Sequence, residues 1–229
     1  VWTLIDMFPG RPGMTVIGEN GGIVMRDGVE VSSHPVDTPT VREVIRLVRE
    51  ATSGPDGIDG GLVMCGKQFA YVERTDDRFV DGVMPYYHRT KRVDDQIAII
   101  DGIEAGEIDD AIVKLAVYVI GPVQALAEAT LARFADTHQY AISGANWADL
   151  QIRGVDKGSA VRDLQRFLGV DRSQTAVFGD AGNDLSMMSE GDLSFAMANA
   201  SRDVVEAARF VAPSNNETGV AQVLRALLA

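Results

Sequence analysis

Thr175-Ala176-Val177-Phe178-Gly179-Asp180-Ala181-Gly182-Asn183-Asp184 reads as a short apolar strand running into a loop with two carboxylates and a carboxamide. Open α/β sheets hold their ligands there, outside the carboxyl ends of the strands. The flanking sequence keeps the same grammar. Lys157–Leu168 sets Val161, Leu164, Phe167 and Leu168 at the 3–4 spacing of a helix packed on one face. Leu185–Ser189 reads as helix, Leu193–Met197 as strand, and Ser201 can cap a helix through Ala208. Arg209–Ala212 is a further strand and Val220–Leu228 a closing helix. This alternation predicts βαβ units, hence an α/β fold with a Rossmann-like, doubly wound parallel-sheet core.

The middle of the chain follows another pattern. Val41–Glu50 is an amphipathic helix, Gly61–Cys65 with Phe69–Glu73 suggests a hairpin, and Val93–Ile103 reads as helix. Ile112–Val119 (strand), Val123–Ala135 (helix), His138–Ser143 (strand) and Asp149–Arg153 (strand) follow. A helix followed by paired strands, repeated, is α+β grammar. The expected organisation is a discontinuous core, residues 1–35 and 154–229, with an inserted α+β domain at 36–153.

Composition narrows the function. Twenty-one Lys and Arg against 33 Asp and Glu give a net charge of −12, which opposes binding to phosphate backbones and to anionic membrane surfaces. The longest clean apolar stretch, Leu115–Ile120, is far short of a membrane span, and the start lacks the basic region of a secretory signal. One cysteine, Cys65, excludes an intramolecular disulfide framework. A soluble, cytoplasmic protein is expected, with no nucleic-acid or membrane partner; its oligomeric state is not legible. The chain opens at Val1 inside an apolar run, which removal of an initiator Met or truncation would explain.

The loop after the first quoted strand carries the chemistry. Gly179 and Gly182 allow tight turning and close approach to a ligand. Asp180 offers the hard oxygen that Mg²⁺ accepts, and Asn183 can donate to a phosphate oxygen. The same residues also suit an Asx-rich turn capping the helix that follows. About twenty residues upstream, Gly154-Val155-Asp156-Lys157-Gly158 puts a lysine at a helix start, where the macrodipole prefers anions. With free backbone N–H groups, that end becomes a phosphate site with Lys157 as its point charge; a solvated surface lysine is the other reading.

Together, a Lys-Gly helix start and a strand ending in Gly-Asp-x-x-Asn-Asp resemble motifs III and IV of the haloacid dehalogenase (HAD) superfamily. Other segments are similar to its Cof-type branch, which carries an α+β cap of the C2B kind. Ile17-Gly18-Glu19-Asn20-Gly21-Gly22-Ile23-Val24 looks like the Asn-Gly strand and hairpin leading into the cap. Lys114–Tyr118 and Ser143–Asp149 look like cap strands, and Ala198-Asn199-Ala200 and Asn215–Val220 match the closing segments. The resemblance implies Mg²⁺-dependent hydrolysis of a small phosphorylated metabolite, a sugar phosphate or phosphorylated cofactor, through an aspartyl-phosphate. By motif match Asp180 would ligate Mg²⁺, and Asp184 would hold a metal-bound water or orient Lys157. Asn183 would contact phosphate, and Lys157 would bridge nucleophile and phosphoryl oxygens. Asn20 and Gly21 would line the edge of the site, or simply form a turn. His34, His88 and His138 match no motif, and Cys65 reads as packing.

The family's first motif, Asp-x-Asp-Gly-Thr, which supplies the nucleophile, is absent from the 229 residues, as is the Thr or Ser of its second motif. Asp6 ends an apolar run but is followed by Met7-Phe8-Pro9-Gly10, and Val1–Phe8 looks like the helix after motif II. Two explanations are a phosphatase fragment and a natural protein that kept the fold without the chemistry. Losing the sheet's central strand would remove roughly 10 kcal/mol of apolar burial and leave open strand edges, which favours the fragment. The alternatives to a phosphatase are a catalytically inactive phosphate-ligand binder or regulator, and a phosphoryl-transferring mutase.

Overall fold

The computed structural model describes all 229 residues, in two compact units, Val1–Gly154 and Val155–Ala229. The first unit opens with helix α1 (Trp2–Met7) and an antiparallel meander of β1 (Thr15–Gly18), β2 (Ile23–Arg26) and β3 (Val29–Ser33). Asp27 (φ 51°) and Gly28 (φ 80°) join β2 to β3, the two left-handed residues that a tight Asp-Gly hairpin requires.

There follow α2 (Thr38–Thr52), β4 (Gly60–Gly66), β5 (Ala70–Val72), α3 (Asp77–Val83), β6 (Thr90–Arg92) and α4 (Gln96–Glu104). Strand β7 (Ile112–Val119), α5 (Gln124–Ala129), β8 (His138–Ile142) and β9 (Trp147–Ile152) complete the unit. The six strands form one sheet, β6-β5-β4-β7-β9-β8, antiparallel throughout except for β5 with β6. Alternation along the strands gives this sheet two apolar faces. Leu62, Met64, Leu115, Val117, Ala148 and Leu150 share a core with Val41, Val44, Ile45 and Val48 of α2 and Ile100 of α4. Val63, Cys65 and Ala116 share another with Phe79 and Val83 of α3.

The second unit runs α6 (Lys157–Leu168), β10 (Ala176–Gly179), α7 (Leu185–Met188), β11 (Leu193–Met197), α8 (Arg202–Ala207), β12 (Phe210–Ala212) and α9 (Gly219–Leu227). Its three strands are parallel in the order β10-β11-β12. Phe178, Phe195 and Phe210 are register partners, with ring centroids 4.9 and 5.3 Å apart. Val177, Ala196, Met188 and Val204 form a second apolar cluster.

Several elements match the sequence reading residue for residue, among them Lys157–Leu168, Ile112–Val119 and Leu193–Met197. Two helices differ. Helix α4 starts at Gln96 because Val93 stays extended, its N–H on Val72 O (2.9 Å), and Asp95 caps the helix by accepting from Ile97 N–H (2.8 Å). The helix expected over 123–135 breaks at Thr130 (φ −120°, ψ −73°), whose hydroxyl donates to Leu126 O (2.6 Å), and resumes as a 3₁₀ turn, Leu131–Phe134. Ser143–Asn146 is a turn between β8 and β9. No helix is long and apolar enough to cross a membrane.

Candidate functional site

Four of the six residues singled out by sequence, Lys157, Asp180, Asn183 and Asp184, lie in the second unit; Asn20 and Gly21 lie in the first. Helix α6 begins at Lys157 behind a capping box in which Asp156 accepts from Ser159 N–H (2.8 Å) and Ser159 Oγ accepts from Asp156 N–H (2.9 Å). Gly158 decides where this end of the helix rests. A Cβ at that position would lie 2.5 Å from Ser186 O, so only glycine lets the first turn of α6 sit against the backbone of α7. The Gly158 N–H donates to Ser186 Oγ at 3.1 Å, securing the contact.

That approach brings Lys157 to the loop after β10. Its Nζ stands 2.5 Å from Asp184 Oδ1. Asp184 Oδ2 accepts from the N–H groups of Asp180 (3.0 Å) and Ala181 (3.2 Å), so both oxygens of this buried carboxylate are engaged. Gly179 admits the arrangement, since a Cβ there would fall 2.6 Å from Asp184 Cβ. Burial works to raise the Asp184 pKa, but the Lys157 ammonium and the two N–H donors outweigh it and hold the carboxyl below its ordinary value.

Asp180 is half-buried; its carbonyl accepts from Ser201 N–H (2.9 Å), while its carboxylate has no hydrogen bond or ion pair. Asn183 is exposed with a free side-chain amide. The loop therefore offers one uncommitted carboxylate and one uncommitted amide beside a charge-neutral Lys–Asp pair. A magnesium ion keeps several waters and takes one or two carboxylates with substrate phosphates. Asp180 fits that role as a single ligand. Asp184 does not while Lys157 and two backbone donors hold it, and no cluster of three or more His, Cys, Asp or Glu in the chain makes an all-protein metal site.

Two sequence expectations need correction. The N–H groups at the start of α6 are not free for phosphate: those of Gly158 and Ser159 bind Ser186 and Asp156, because the capping box and the α7 contact satisfy them first. Gly182 is not required for a tight turn, since its φ is outside the left-handed region and a Cβ there would meet nothing within 4 Å.

In the first unit, Asn20 (φ 51°) and Gly21 (φ 102°) form a turn, preceded by Glu19 in the same left-handed region (φ 50°). Asn20 Nδ2 donates to Asp149 Oδ2 (3.3 Å), and Lys114 Nζ lies 2.8 Å from Glu19 Oε2 and 3.9 Å from Asp149 Oδ2. Burial would raise the Glu19 pKa, but Lys114 and the chain's first amino group bring it down to about 2. This buried cluster escaped the sequence reading. Its signal was Lys114 in the otherwise apolar run Ile112–Val119, since a lysine in a buried strand needs a partner. Cys65 is buried and burial pushes its thiol up to about 12, in keeping with packing. Asp6 is exposed, 3.8 Å from His88, and His138 faces Asp37 at 3.3 Å.

A family model described as haloacid dehalogenase-like hydrolase matches residues 7–224. Over 236 aligned residues, 99% of this chain and 79% of the relative, the chain is 34% identical to the 5-amino-6-(5-phospho-D-ribitylamino)uracil phosphatase YbjI of Escherichia coli. Among solved structures it is similar in fold to SMU.1108c from Streptococcus mutans, with a TM-score of 0.76 at 23% identity, covering 99% of this chain and 82% of that one. A haloacid dehalogenase-like hydrolase from Bacillus subtilis gives a TM-score of 0.76 at 18% identity, covering 98% and 83%.

Proposed function

Because the chain belongs to the haloacid dehalogenase-like hydrolase family, we propose that it carries the charge-clamping half of a Mg²⁺-dependent phosphomonoesterase. Its substrates are small phosphorylated metabolites, sugar phosphates or phosphorylated cofactors; the similar YbjI is a 5-amino-6-(5-phospho-D-ribitylamino)uracil phosphatase. The observation that carries this reading is the division of labour between Asp184, held by Lys157 and two backbone N–H groups, and Asp180, whose carboxylate is free.

In this reading Asp180 holds the magnesium ion, which neutralises charge on the phosphoryl oxygens when bound. Lys157, oriented by Asp184, directs its ammonium at the same oxygens, and the Asn183 amide donates to them. Asn20 and Gly21 take the turn role, with the Asn20 amide on Asp149. Residues 1–35 with 154–229 make the catalytic core, and 36–153 act as the cap that sets substrate choice.

An aspartyl-phosphate needs a carboxylate nucleophile with an acid/base partner, and no Asp-x-Asp-Gly-Thr stands among these 229 residues. Turnover therefore requires a carboxylate from outside residues 1–229, and these residues alone bind Mg²⁺ or phosphate weakly without hydrolysing an ester. The missing motif equally favours a second reading, a phosphate-ligand binder without turnover. The test assays p-nitrophenyl phosphate hydrolysis by residues 1–229 beside a chain extended by its genomic upstream codons, with calorimetric Mg²⁺ titration of both. Activity gained with the extension supports the phosphatase. An extended chain that binds phosphate but never turns over supports the binder, and turnover by 1–229 alone means the nucleophile has been misplaced.

A further inference from the structure

Within the first unit, a cleft of about 330 Å³ opens between the last turns of α2, the loop before β4 and the start of α4. That is the size of a small-molecule site, and none of Asn20, Gly21, Lys157, Asp180, Asn183 and Asp184 lines it. Ile45 and Val48 of α2 and Leu62 of β4 give it an apolar wall.

The decisive polar group is Gln96, the first residue of α4 and only 2% exposed. Gln96 Nε2 donates to Leu62 O (3.2 Å) and to Tyr71 O (2.8 Å). The orientation of the amide is therefore fixed, since turning it over would set its oxygen against two carbonyls. Gln96 Oε1 has no donor of its own. Nor is it sealed in, because the enclosed side-chain oxygens and nitrogens without a partner are Ser32 Oγ and His138 Nε2. The oxygen thus reaches the cleft that its residue lines. A buried acceptor left without a donor is costly, and an N–H group entering the cleft would relieve it.

The charges around the cleft select the kind of donor. Its two arginines are each shared between two carboxylates: Arg49 pairs with Glu73 and with Asp95 (2.6 Å), and Arg74 with Asp76 and with Asp59 (2.6 Å). Even counting Arg78, 3.5 Å from Asp59, four carboxylates face three guanidinium groups. An anion would have to displace those pairs, whereas a cation would not. Helix α2 also ends at Thr52 on the cleft wall, so the negative end of its dipole adds to the field. A primary ammonium is compact and carries several donors, so one head can serve Gln96 Oε1 and a carboxylate together. We propose that this cleft binds a small primary alkylammonium ion, its N–H on Gln96 Oε1 and its alkyl chain on Ile45, Val48 and Leu62. The site lies wholly in the first unit and is independent of the phosphatase reading.

The test follows the Gln96 side-chain amide by NMR in the full chain at neutral pH. The probes are n-butylammonium, butyltrimethylammonium and butyrate. The first is expected to shift the amide saturably, with butyrate silent. Butyltrimethylammonium keeps the charge but has no N–H, and should bind about ten-fold more weakly or worse. Asp59→Asn removes a cleft carboxylate that is 44% exposed, so the fold should survive and the n-butylammonium Kd should rise about three-fold. Thr52→Lys places an ammonium of the chain itself at the cleft and should abolish binding, with thermal unfolding as the check that the variant is folded. No saturable shift with n-butylammonium overturns the proposal. So does an equal response to butyrate or butyltrimethylammonium, an unchanged Kd in Asp59→Asn, or parent affinity in folded Thr52→Lys.

Discussion

The Lys157 ammonium sits 2.5 Å from Asp184 Oδ1, while the carboxylate of Asp180, four residues before Asp184, has no partner. Two aspartates in one loop are thereby given different work by their surroundings. Asp184 accepts from three donors and spends both oxygens inside the fold; Asp180 spends only its backbone carbonyl.

Substitution should separate the two. In a turnover-competent chain, Lys157→Ala is expected to lower kcat by about 10²-fold, the scale of losing an electrostatic donor. Asp180→Asn should raise the Mg²⁺ concentration needed for half-maximal binding, since a neutral amide replaces an ionised oxygen. Steady-state phosphate release and calorimetric Mg²⁺ titration check these, and near-parent values for both variants would remove Lys157 and Asp180 from the site.

Asp184→Asn should act on stability as well as activity. A carboxyl whose folded pKa lies below its unfolded one stabilises the fold above the unfolded value, and that contribution disappears as pH falls through the folded value. The substitution is expected to cost about 2 kcal/mol at neutral pH, as for a charge-assisted buried hydrogen bond. Urea titrations at neutral and acid pH should show the gap between variant and parent closing under acid.

Glu19 has the wider window. Its carboxyl is brought to about 2, against an ordinary glutamate value of ~4.3, so its stabilisation is complete above the ordinary value and lost on descending towards pH 2. Glu19→Gln is expected to destabilise the chain by about 3 kcal/mol at pH 7 and to match the parent near pH 2. Thermal unfolding across that range tests it; a pH-independent difference would mean that Lys114 is neutralised by Asp149 alone.

Gly158→Ala should affect the lysine without touching it. The added methyl meets the Ser186 backbone at 2.5 Å, so α6 must shift away from α7. A loss of about 1–3 kcal/mol is expected from overpacking, with a smaller depression of the Asp184 pKa as Lys157 retreats. Carboxyl titration of Asp184 by NMR would detect it, and a parent-like pKa would show that the helix start need not be so close.

The second unit was the more legible because its signals are local. Short apolar runs, a Gly-Asp exit loop and an Asp-Lys-Gly helix start each declare themselves within a few residues. Inside the first unit, α3 and β6 are not legible, since they span only seven and three residues and the ladder holding β6 joins segments about twenty residues apart, as when Ala70 N–H reaches Arg89 O; β3 was missed although its Asp27-Gly28 turn is a local hairpin signal. The site chemistry was legible as residue types but not as bonds. That Ser186 would take the Gly158 donor, or that Glu19 and Asp149 would flank Lys114, depends on contacts across 28 to 95 positions that no local pattern encodes, whereas the Asp156–Ser159 capping box spans three residues.

Cys65 has a practical consequence. The only thiol of the chain is sealed in a sheet core and ionises only near strongly alkaline pH, so oxidants and alkylating reagents, which need the thiolate, find nothing to attack while β4 stays paired. The native molecule should withstand peroxide and maleimide alike. Any labelling that does occur counts the moments at which the strands around residue 65 part, making this silent sulfur an intrinsic clock for the opening of its sheet.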